Sequence, residues 1–552
     1  MALVNIKVNG QPVQVEEGKT VLEVLKEIGI DVPVLCYHPK LPSIGACRMC
    51  VVETRPGVLQ ASCTLPVSEG LEVQTDSETV KKARKFVLNL IFSERNHYCM
   101  YCEMSGNCEL QDLGYSLGLD HFELPTYMTK FPLDTTHEDI LLDHNRCILC
   151  RRCVRACSEI AGHNVLGISQ RGIDSMLTAD LNVPLGESSC VSCGLCVQVC
   201  PTGALTDKKS AYLGTRRESE LVRTICANCS VGCGIEAYKK ANHLVQILGD
   251  WENPINNGVL CRLGRYEPLS DAKKRITQPM IKKDGKLEPV TWEEAIDRVK
   301  AILNEKETVG YISASLPLEV LSKFKDLLED NVGLLENTSN PIDTFGKLSD
   351  ILNSDKIVVI GVDLDKNFGV VGSYVKRAIF NSSELIIVDD KPNSLSKYAK
   401  LIYQTKDLDK AIGNALTGNN PVIIYSQVDE TIADSLSRIR GKAKFIWLAP
   451  ASNYLGAKKL GLNGNFNYKK NAYIVAPYIE KIPENLNKII LQTSYYTPAI
   501  EKADVVLPSS IWLEEEGTYI NIEGVEQKLA KVLEPLKGVK NNLEILSMLL
   551  GR

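Results

Sequence analysis

Cys147-Ile148-Leu149-Cys150-Arg151-Arg152-Cys153-Val154-Arg155-Ala156-Cys157 and, further on, Cys190-Val191-Ser192-Cys193-Gly194-Leu195-Cys196-Val197-Gln198-Val199-Cys200-Pro201 repeat one spacing. Each run places three cysteines at intervals of three and a fourth after four. Thiolates so spaced hold a pair of tetranuclear iron–sulfur clusters, the fourth cysteine of each run ligating the other cluster. The spacing therefore predicts one [4Fe-4S] centre on Cys147, Cys150, Cys153 and Cys200, and a second on Cys190, Cys193, Cys196 and Cys157. Ser158 stands where such runs usually carry proline, which removes a rigid turn and no ligand. Repetition of the full spacing makes structural zinc a poor alternative here.

Working outward, three further groups account for the other cysteines. Cys36, Cys47, Cys50 and Cys63 lie in a loop after a predicted hairpin, Val4 to Val8 and Pro12 to Val15 about Asn9-Gly10, and a predicted helix from Thr20 to Ile28. Gly45 and Ala46 leave room for backbone to close tightly ahead of Cys47, which favours a [2Fe-2S] centre, although the plant-type spacing differs. His97, Cys99, Cys102 and Cys108 give three thiolates and one imidazole, a reasonable ligand set for a [4Fe-4S] cluster of raised potential. The other reading of His97 is a histidine beside a cluster completed from elsewhere. Cys226, Cys229, Cys233 and Cys261 form the last set, with Gly232 and Gly234 permitting close backbone approach. Four-cysteine zinc is the alternative for this set and for the first. All 19 cysteines are then used, with His97 as the twentieth ligand. The remaining histidines, 38, 121, 137, 144, 163 and 243, are expected in structural or surface roles, with His38 and His144 near cluster cysteines.

Composition sets the outer limits. A chain of 552 residues exceeds one hydrophobic core, so several domains are expected. A net charge of -5 and the lack of a basic tract argue against nucleic acid as the main partner. The first residues lack the layout of a secretory signal and no run of about 18 apolar residues occurs, so a cytoplasmic protein that does not span a membrane is expected. An odd cysteine count in a large chain without a signal also disfavours a secreted disulfide scaffold.

No cysteine follows Cys261, and the chain changes character there. Runs such as Lys356–Gly361, Glu384–Asp389, Pro421–Tyr425 and Lys444–Ala449 alternate with helical stretches, which predicts βα units around a parallel sheet. Trp292 to Leu303 has helical apolar spacing, with Thr291 as its cap. Neither G-x-G-x-x-G after a strand nor G-x-x-x-x-G-K-[ST] occurs, so NAD, flavin and ATP sites are not indicated.

Residues 1–210 resemble the iron–sulfur region shared by the large iron–sulfur subunit of respiratory complex I, the small diaphorase subunit of NAD-reducing hydrogenases and iron-only hydrogenases. The stretch Glu94-Arg95-Asn96-His97-Tyr98-Cys99, followed by Gly106-Asn107-Cys108-Glu109-Leu110-Gln111, is most similar to the diaphorase version, in which the histidine sits one residue before its cysteine. Residues 221–552 resemble the molybdopterin oxidoreductase fold through Cys226 to Cys261, Val290-Thr291-Trp292-Glu293-Glu294-Ala295, Ala503-Asp504-Val505-Val506-Leu507-Pro508 and the run Glu516 to Gln527. The resemblance implies α+β ferredoxin-type modules followed by a truncated α/β molybdopterin-oxidoreductase-like domain with a parallel sheet. The boundaries it implies are 1–80 for the [2Fe-2S] module, 81–121 for the His-Cys segment, 122–215 for the two-cluster module, 220–275 for a further [4Fe-4S] segment and 276–552 for the α/β domain.

For cofactors, the resemblance implies one [2Fe-2S] and four [4Fe-4S] clusters. Molybdenum, pterin and flavin are not expected in this chain, because no thiolate follows Cys261, Val525 replaces the usual arginine, and the chain ends soon after that motif. The implied function is a non-catalytic electron relay in a soluble NAD(P)H-linked oxidoreductase. The favoured setting is a bidirectional or electron-bifurcating hydrogenase, with hydrogenase subunits and soluble ferredoxin as partners. Complex I, as a peripheral-arm subunit, and an NAD-dependent formate dehydrogenase are the alternatives. In each setting an FMN-bearing, NADH-binding flavoprotein and a thioredoxin-like [2Fe-2S] subunit are implied as neighbours.

Overall fold

Alternation of polar and apolar residues over Leu3–Val8 puts Val4, Ile6 and Val8 on one buried face. The chain reverses through Asn9 and Gly10, both at positive φ (50° and 80°), as the tightest hairpin turns require. Gln11–Glu16 then pairs antiparallel with the first strand, and Glu72–Val73 adds to it in parallel. Helix Val21–Glu27 begins with a reciprocal cap between Thr20 and Glu23 and buries Val21, Leu22, Val24 and Leu25 against this small sheet. Cys50 and Cys63 belong to the same core, so the first cysteine loop is part of the packing and not an appendage.

The structure, a computed structural model, describes residues 2–551 apart from 122, 128–129, 271, 306–307, 330, 337, 339–345, 427–428, 465–470 and 483–485. The chain divides into two units, Met1–Glu218 and Ser219–Arg552. In the first, helix Glu78–Glu94, capped by Ser77, carries Leu88 and Phe92 into an apolar knot with Leu35, Met49 and Leu110. The two matched cysteine runs each form a loop followed by a short helix, Arg152–Arg155 and Leu195–Val199. A small antiparallel sheet of Leu205–Asp207, Ile140–Asp143 and Leu133–Asp134 backs them.

The second unit starts with an antiparallel sheet, Glu220–Ile225, Gly234–Lys240 and His243–Gly249. The four apolar runs anticipated as strands form neighbouring members of one parallel five-stranded sheet, in the order Leu401–Tyr403, Glu384–Val388, Lys356–Ile360, Val422–Tyr425, Lys444–Trp447. Every position from Ile357 to Ile360 is buried, as expected of a parallel strand covered on both faces. A second sheet of seven strands is assembled from two distant stretches of sequence, 280–334 and 471–508. Five of its strands are parallel, and the hairpin Met280–Lys283 with Lys286–Pro289 joins antiparallel at the edge beside Val505–Pro508. Helix Trp292–Leu303 has the Thr291 cap, reciprocated by Glu294. Among the described residues no helix is long and apolar enough to cross a membrane.

Candidate functional site

The cysteines gather into five sets, four in the first unit and one in the second. In the first set, Cys36 N–H donates to Cys47 Sγ and Cys47 N–H donates to Cys36 Sγ, both at 3.4 Å. Hydrogen bonds from Cys47 and Cys63 hold the Cys36 thiol below its ordinary range, and Cys63 does the same to Cys50. The same pairing, together with burial, pushes Cys47 and Cys63 up, so the four sulfurs are linked in a chain of hydrogen bonds from Cys47 through Cys36 and Cys63 to Cys50. Arg48, beside Cys47, is held at φ 60°, a left-handed conformation that costs energy for a residue with a side chain.

Cys147, Cys150, Cys153 and Cys200 line one cavity, whereas Cys157, Cys190, Cys193 and Cys196 line another. The fourth cysteine of each run therefore lies with the first three of the other. Leu149 N–H donates to Cys147 Sγ and Ser192 N–H to Cys190 Sγ, each at 3.4 Å. Burial pushes Cys147 up to about 11 and Cys150 and Cys190 up to about 12, and lifts Cys153 and Cys196 further. A bare thiolate is disfavoured in such a cavity, and ligation to iron is what makes deprotonation favourable there.

His97, Cys99, Cys102 and Cys108 line a third cavity together with Phe92, at the end of helix Glu78–Glu94. Burial first, then Arg146 and Arg95, hold His97 down at about 4, so the ring is neutral at physiological pH. A backbone hydrogen bond to Ile91 and edge contact with Phe92 at 5.4 Å orient the ring, while its Nε2 is buried without a hydrogen-bond partner. A neutral imidazole with an orphaned buried nitrogen fits a metal ligand held from its other side. Gly203, three residues beyond Cys200, passes so close to Cys102 Sγ that a side chain at this position would collide with the sulfur.

In the second unit, Cys226 N–H donates to the Cys233 carbonyl at 2.8 Å, and burial pushes Cys229 up to about 12 and Cys226 and Cys233 further. A Cβ on Gly264 would stand 3.3 Å from Cys226 Sγ and 4.0 Å from Cys261 Sγ, so the chain closes directly over these sulfurs. An open cavity of about 600 Å3 lies alongside, lined by Asn228, Arg262, Lys273, Ser315, Tyr495 and Trp512 among others. None of its lining residues is a cysteine, so it offers no thiolate to a molybdenum ion. Among the described residues, no three His, Cys, Asp or Glu side chains are arranged to grip a single metal ion.

What the cysteine spacing could not disclose is how the first unit holds its sets together. The apolar knot of Leu35, Met49, Leu88, Phe92 and Leu110 touches Cys47 and Cys108, of two sets, and Ile148, the neighbour of Cys147 in a third. Cys108 Sγ lies 3.6 Å from the Pro201 carbonyl, and Glu109 N–H donates to that same carbonyl at 3.0 Å. Buried arginines staple the loops. Arg84 donates to Val51 O at 2.8 Å, Arg146 to Asn96 O at 2.9 Å and Arg155 to Cys36 O at 2.6 Å, and Arg152 grips Glu109 through two bonds of 2.7 and 2.9 Å. The one available sequence signal was the concentration of arginine in the first run and its absence from the second. His137, expected to be structural, accepts from the N–H groups of Asp139 and Ile140 and meets Ser192 Oγ at 3.1 Å, which supports the loop of the second run.

Comparison with known proteins covers nearly the whole chain. Residues 1–78 match a 2Fe-2S iron-sulfur cluster binding domain, 84–123 the NADH-ubiquinone oxidoreductase-G iron-sulfur binding region, and 138–206 the ferredoxin-like domain of NADH-quinone oxidoreductase subunit 3. Residues 219–267 match the molybdopterin oxidoreductase Fe4S4 domain, and 275–433 with 449–552 match molybdopterin oxidoreductase. NADH-quinone oxidoreductase subunit 3 of Thermus thermophilus is 28% identical over 95% of this chain and 79% of its own length. The NADH-ubiquinone oxidoreductase 75 kDa subunit of Reclinomonas americana is 26% identical over 95% of this chain and 84% of its own length. A chain in a crystal structure of NAD+-reducing [NiFe]-hydrogenase in the H2-reduced state is 38% identical, over 39% of this chain and 91% of that one, with a TM-score of 0.37.

Proposed function

Because the chain belongs to the large iron–sulfur subunits of molybdopterin-oxidoreductase fold, related to those of NADH-quinone oxidoreductase and to the diaphorase module of NAD-reducing hydrogenases, we propose that it is the electron relay of an NADH:quinone oxidoreductase-type assembly. The observation that carries this reading is the gathering of all 19 cysteines, with His97, into five sets that leave no thiol over. Cys36, Cys47, Cys50 and Cys63 are assigned to a [2Fe-2S] cluster. His97 with Cys99, Cys102 and Cys108, the two crossed sets of the matched runs, and Cys226, Cys229, Cys233 and Cys261 are assigned to four [4Fe-4S] clusters. Iron–sulfur clusters, when bound, take up and release one electron at a time and make no bonds to substrate. The chain's own residues then act as holders: thiolates and the His97 imidazole fix position, backbone N–H groups stabilise sulfur charge, and the apolar knot keeps water from between the sets.

No residue of this chain is assigned to catalysis, so hydride chemistry falls to a separate NADH-binding flavoprotein carrying FMN, with a thioredoxin-like [2Fe-2S] subunit as a further neighbour. The cavity beside Cys226 and Cys261 lacks a thiolate, and no step is routed through molybdenum or pterin. The complex I setting, second in the sequence-based reading, has the stronger support, since curated relatives that align over nearly all of this chain are NADH-quinone oxidoreductase subunits. The hydrogenase setting retains one specific observation, the single residue between His97 and Cys99.

Purified chain should contain about 18 iron atoms and no stoichiometric molybdenum. Iron near half that value, or one molybdenum per chain, overturns the assignment. Replacing His97 with Ala should alter one tetranuclear spectroscopic signal and leave the others, and unchanged signals would exclude His97 as a ligand. Purification of the native assembly decides the setting. Quinone-reducing membrane subunits support the main reading, and nickel–iron hydrogenase subunits replace it with the second.

A further inference from the structure

The runs Cys147–Cys157 and Cys190–Pro201 are one loop built twice. The N–H···S bonds are the same length in both, and the left-handed residues recur in step: Leu149 (φ 52°) with Ser192 (58°), and Arg151 (58°) with Gly194 (66°). Ligand type, ligand number and this N–H···S bond are common to both, which removes some of the usual reasons for two clusters to differ in potential. Charge differs. Arg146, Arg151, Arg152 and Arg155 of the first run correspond to Ser189, Gly194, Leu195 and Gln198 of the second.

Two of the first run's arginines are neutralised, since Arg152 pairs with Glu109 at 2.7 Å and Arg146 with Asp143 at 3.3 Å. Two other buried guanidiniums are not. Arg95, 3% exposed, donates to the His144 carbonyl at 2.7 Å, the same oxygen that accepts from Cys147 N–H. Its other contacts are the Ser175 carbonyl and the face of Phe131, 4.4 Å from the ring centre. Arg155, 6% exposed, donates to the carbonyls of Cys36 and Pro42. Among the described residues neither has a carboxylate within ion-pair distance. Glu94 acts on Cys147 in the opposite sense to Arg95, and more weakly. On the second loop the balance is reversed. Asp180 accepts from Ser189 N–H at 2.6 Å and from Ser189 Oγ at 2.9 Å, immediately before Cys190. A buried cation without a partner is strongly unfavourable unless an anion lies near, and a cluster gains negative charge on reduction.

We propose that Arg95 raises the reduction potential of the centre on Cys147, Cys150, Cys153 and Cys200 above that of its twin on Cys157, Cys190, Cys193 and Cys196, where Asp180 acts in the opposite sense. One electron leaves the Asp180 side as one enters the Arg95 side, and no proton moves. This inference rests on the assignment of both sets to [4Fe-4S] clusters, and Arg95 is a positioning residue within it.

The test is a redox titration of the full-length chain, followed by electron paramagnetic resonance, with iron measured on each sample. Arg95→Gln should lower the higher midpoint of the wild-type pair by a tenfold change in its one-electron equilibrium, about 59 mV, and should also lower the midpoint of the His97 centre, which feels the same charge, while the lower member of the pair stays in place. Asp180→Asn should raise the lower signal, and Arg95→Lys, which keeps the charge, should restore the wild-type value. If Arg95→Gln does not assemble, Asp180→Asn by itself should narrow the gap between the two midpoints, and an unchanged gap overturns the inference. Midpoints that stay put at about 18 iron per chain overturn this inference alone, as does movement of one signal by both the arginine and the aspartate variants. Iron short by about eight removes the pair of clusters, and this inference with it.

Discussion

The two units bury their interiors by different means. In Met1–Glu218 the cysteine loops run through left-handed residues at Arg48, Leu149, Arg151 and Ser192, and their thiols face small cavities that protein atoms do not fill. In Ser219–Arg552, beyond the segment carrying Cys226 to Cys261, strands such as Ile357–Ile360 and Val422–Tyr425 are buried on both faces, and one face, through Val358, Ile360, Ile423 and Tyr425, joins a large apolar core. Strained loops around cavities need something to hold them, whereas close-packed aliphatic strands hold themselves. On the proposed cluster assignment, the contrast leads us to expect iron to contribute folding energy to the first unit and little to most of the second.

Withholding iron should break the comparison most visibly. Chain expressed under iron depletion should lose the protease-resistant core of Met1–Glu218 and keep that of residues beyond 275, read by limited proteolysis and mass spectrometry. Equal resistance of both would mean that the cysteine loops are held by protein packing alone. Cys196→Ala should be next in size, with loss of about four iron atoms and one tetranuclear signal while the thermal transition of the second unit is unmoved. Ile424→Ala probes the other side. This side chain is wholly buried in the five-stranded sheet, so its truncation should lower the stability of the second unit by about 2–5 kcal/mol with all cluster signals retained. Thr291→Ala removes the side-chain acceptor for Glu294 N–H and should cost about 1 kcal/mol, again without touching iron content. Loss of more than one tetranuclear signal, or of the binuclear one, in either of the last two variants would show that the units are not energetically separate.

Local patterns made much of this legible. The turn at Asn9-Gly10, the helix expected from Thr20 to Ile28 and formed over Val21–Glu27, the Thr291 cap and the four parallel strands from Lys356 to Trp447 follow from rules that act within a few residues. The seven-stranded sheet was not legible, because its strands come from 280–334 and 471–508, and no periodicity records which distant strands will pair. The same holds for the site. Cysteine spacing names candidate ligands, yet Gly203 against Cys102, the Pro201 carbonyl beside Cys108 and the apolar knot touching two sets and the neighbour of a third arise from contacts between segments far apart in the chain.

By itself the sequence determined the chemistry on offer: 19 thiols with spacings that suit iron and a second half without any, since ligand type and local spacing are covalent properties of the chain. Tertiary structure alone decided which buried charges remain unpaired beside those thiols. Arg152 and Arg155 look alike in one run, but only the fold brings Glu109 to the first and leaves the second against backbone carbonyls. An ion pair depends on distance in space, and distance in space is what folding sets.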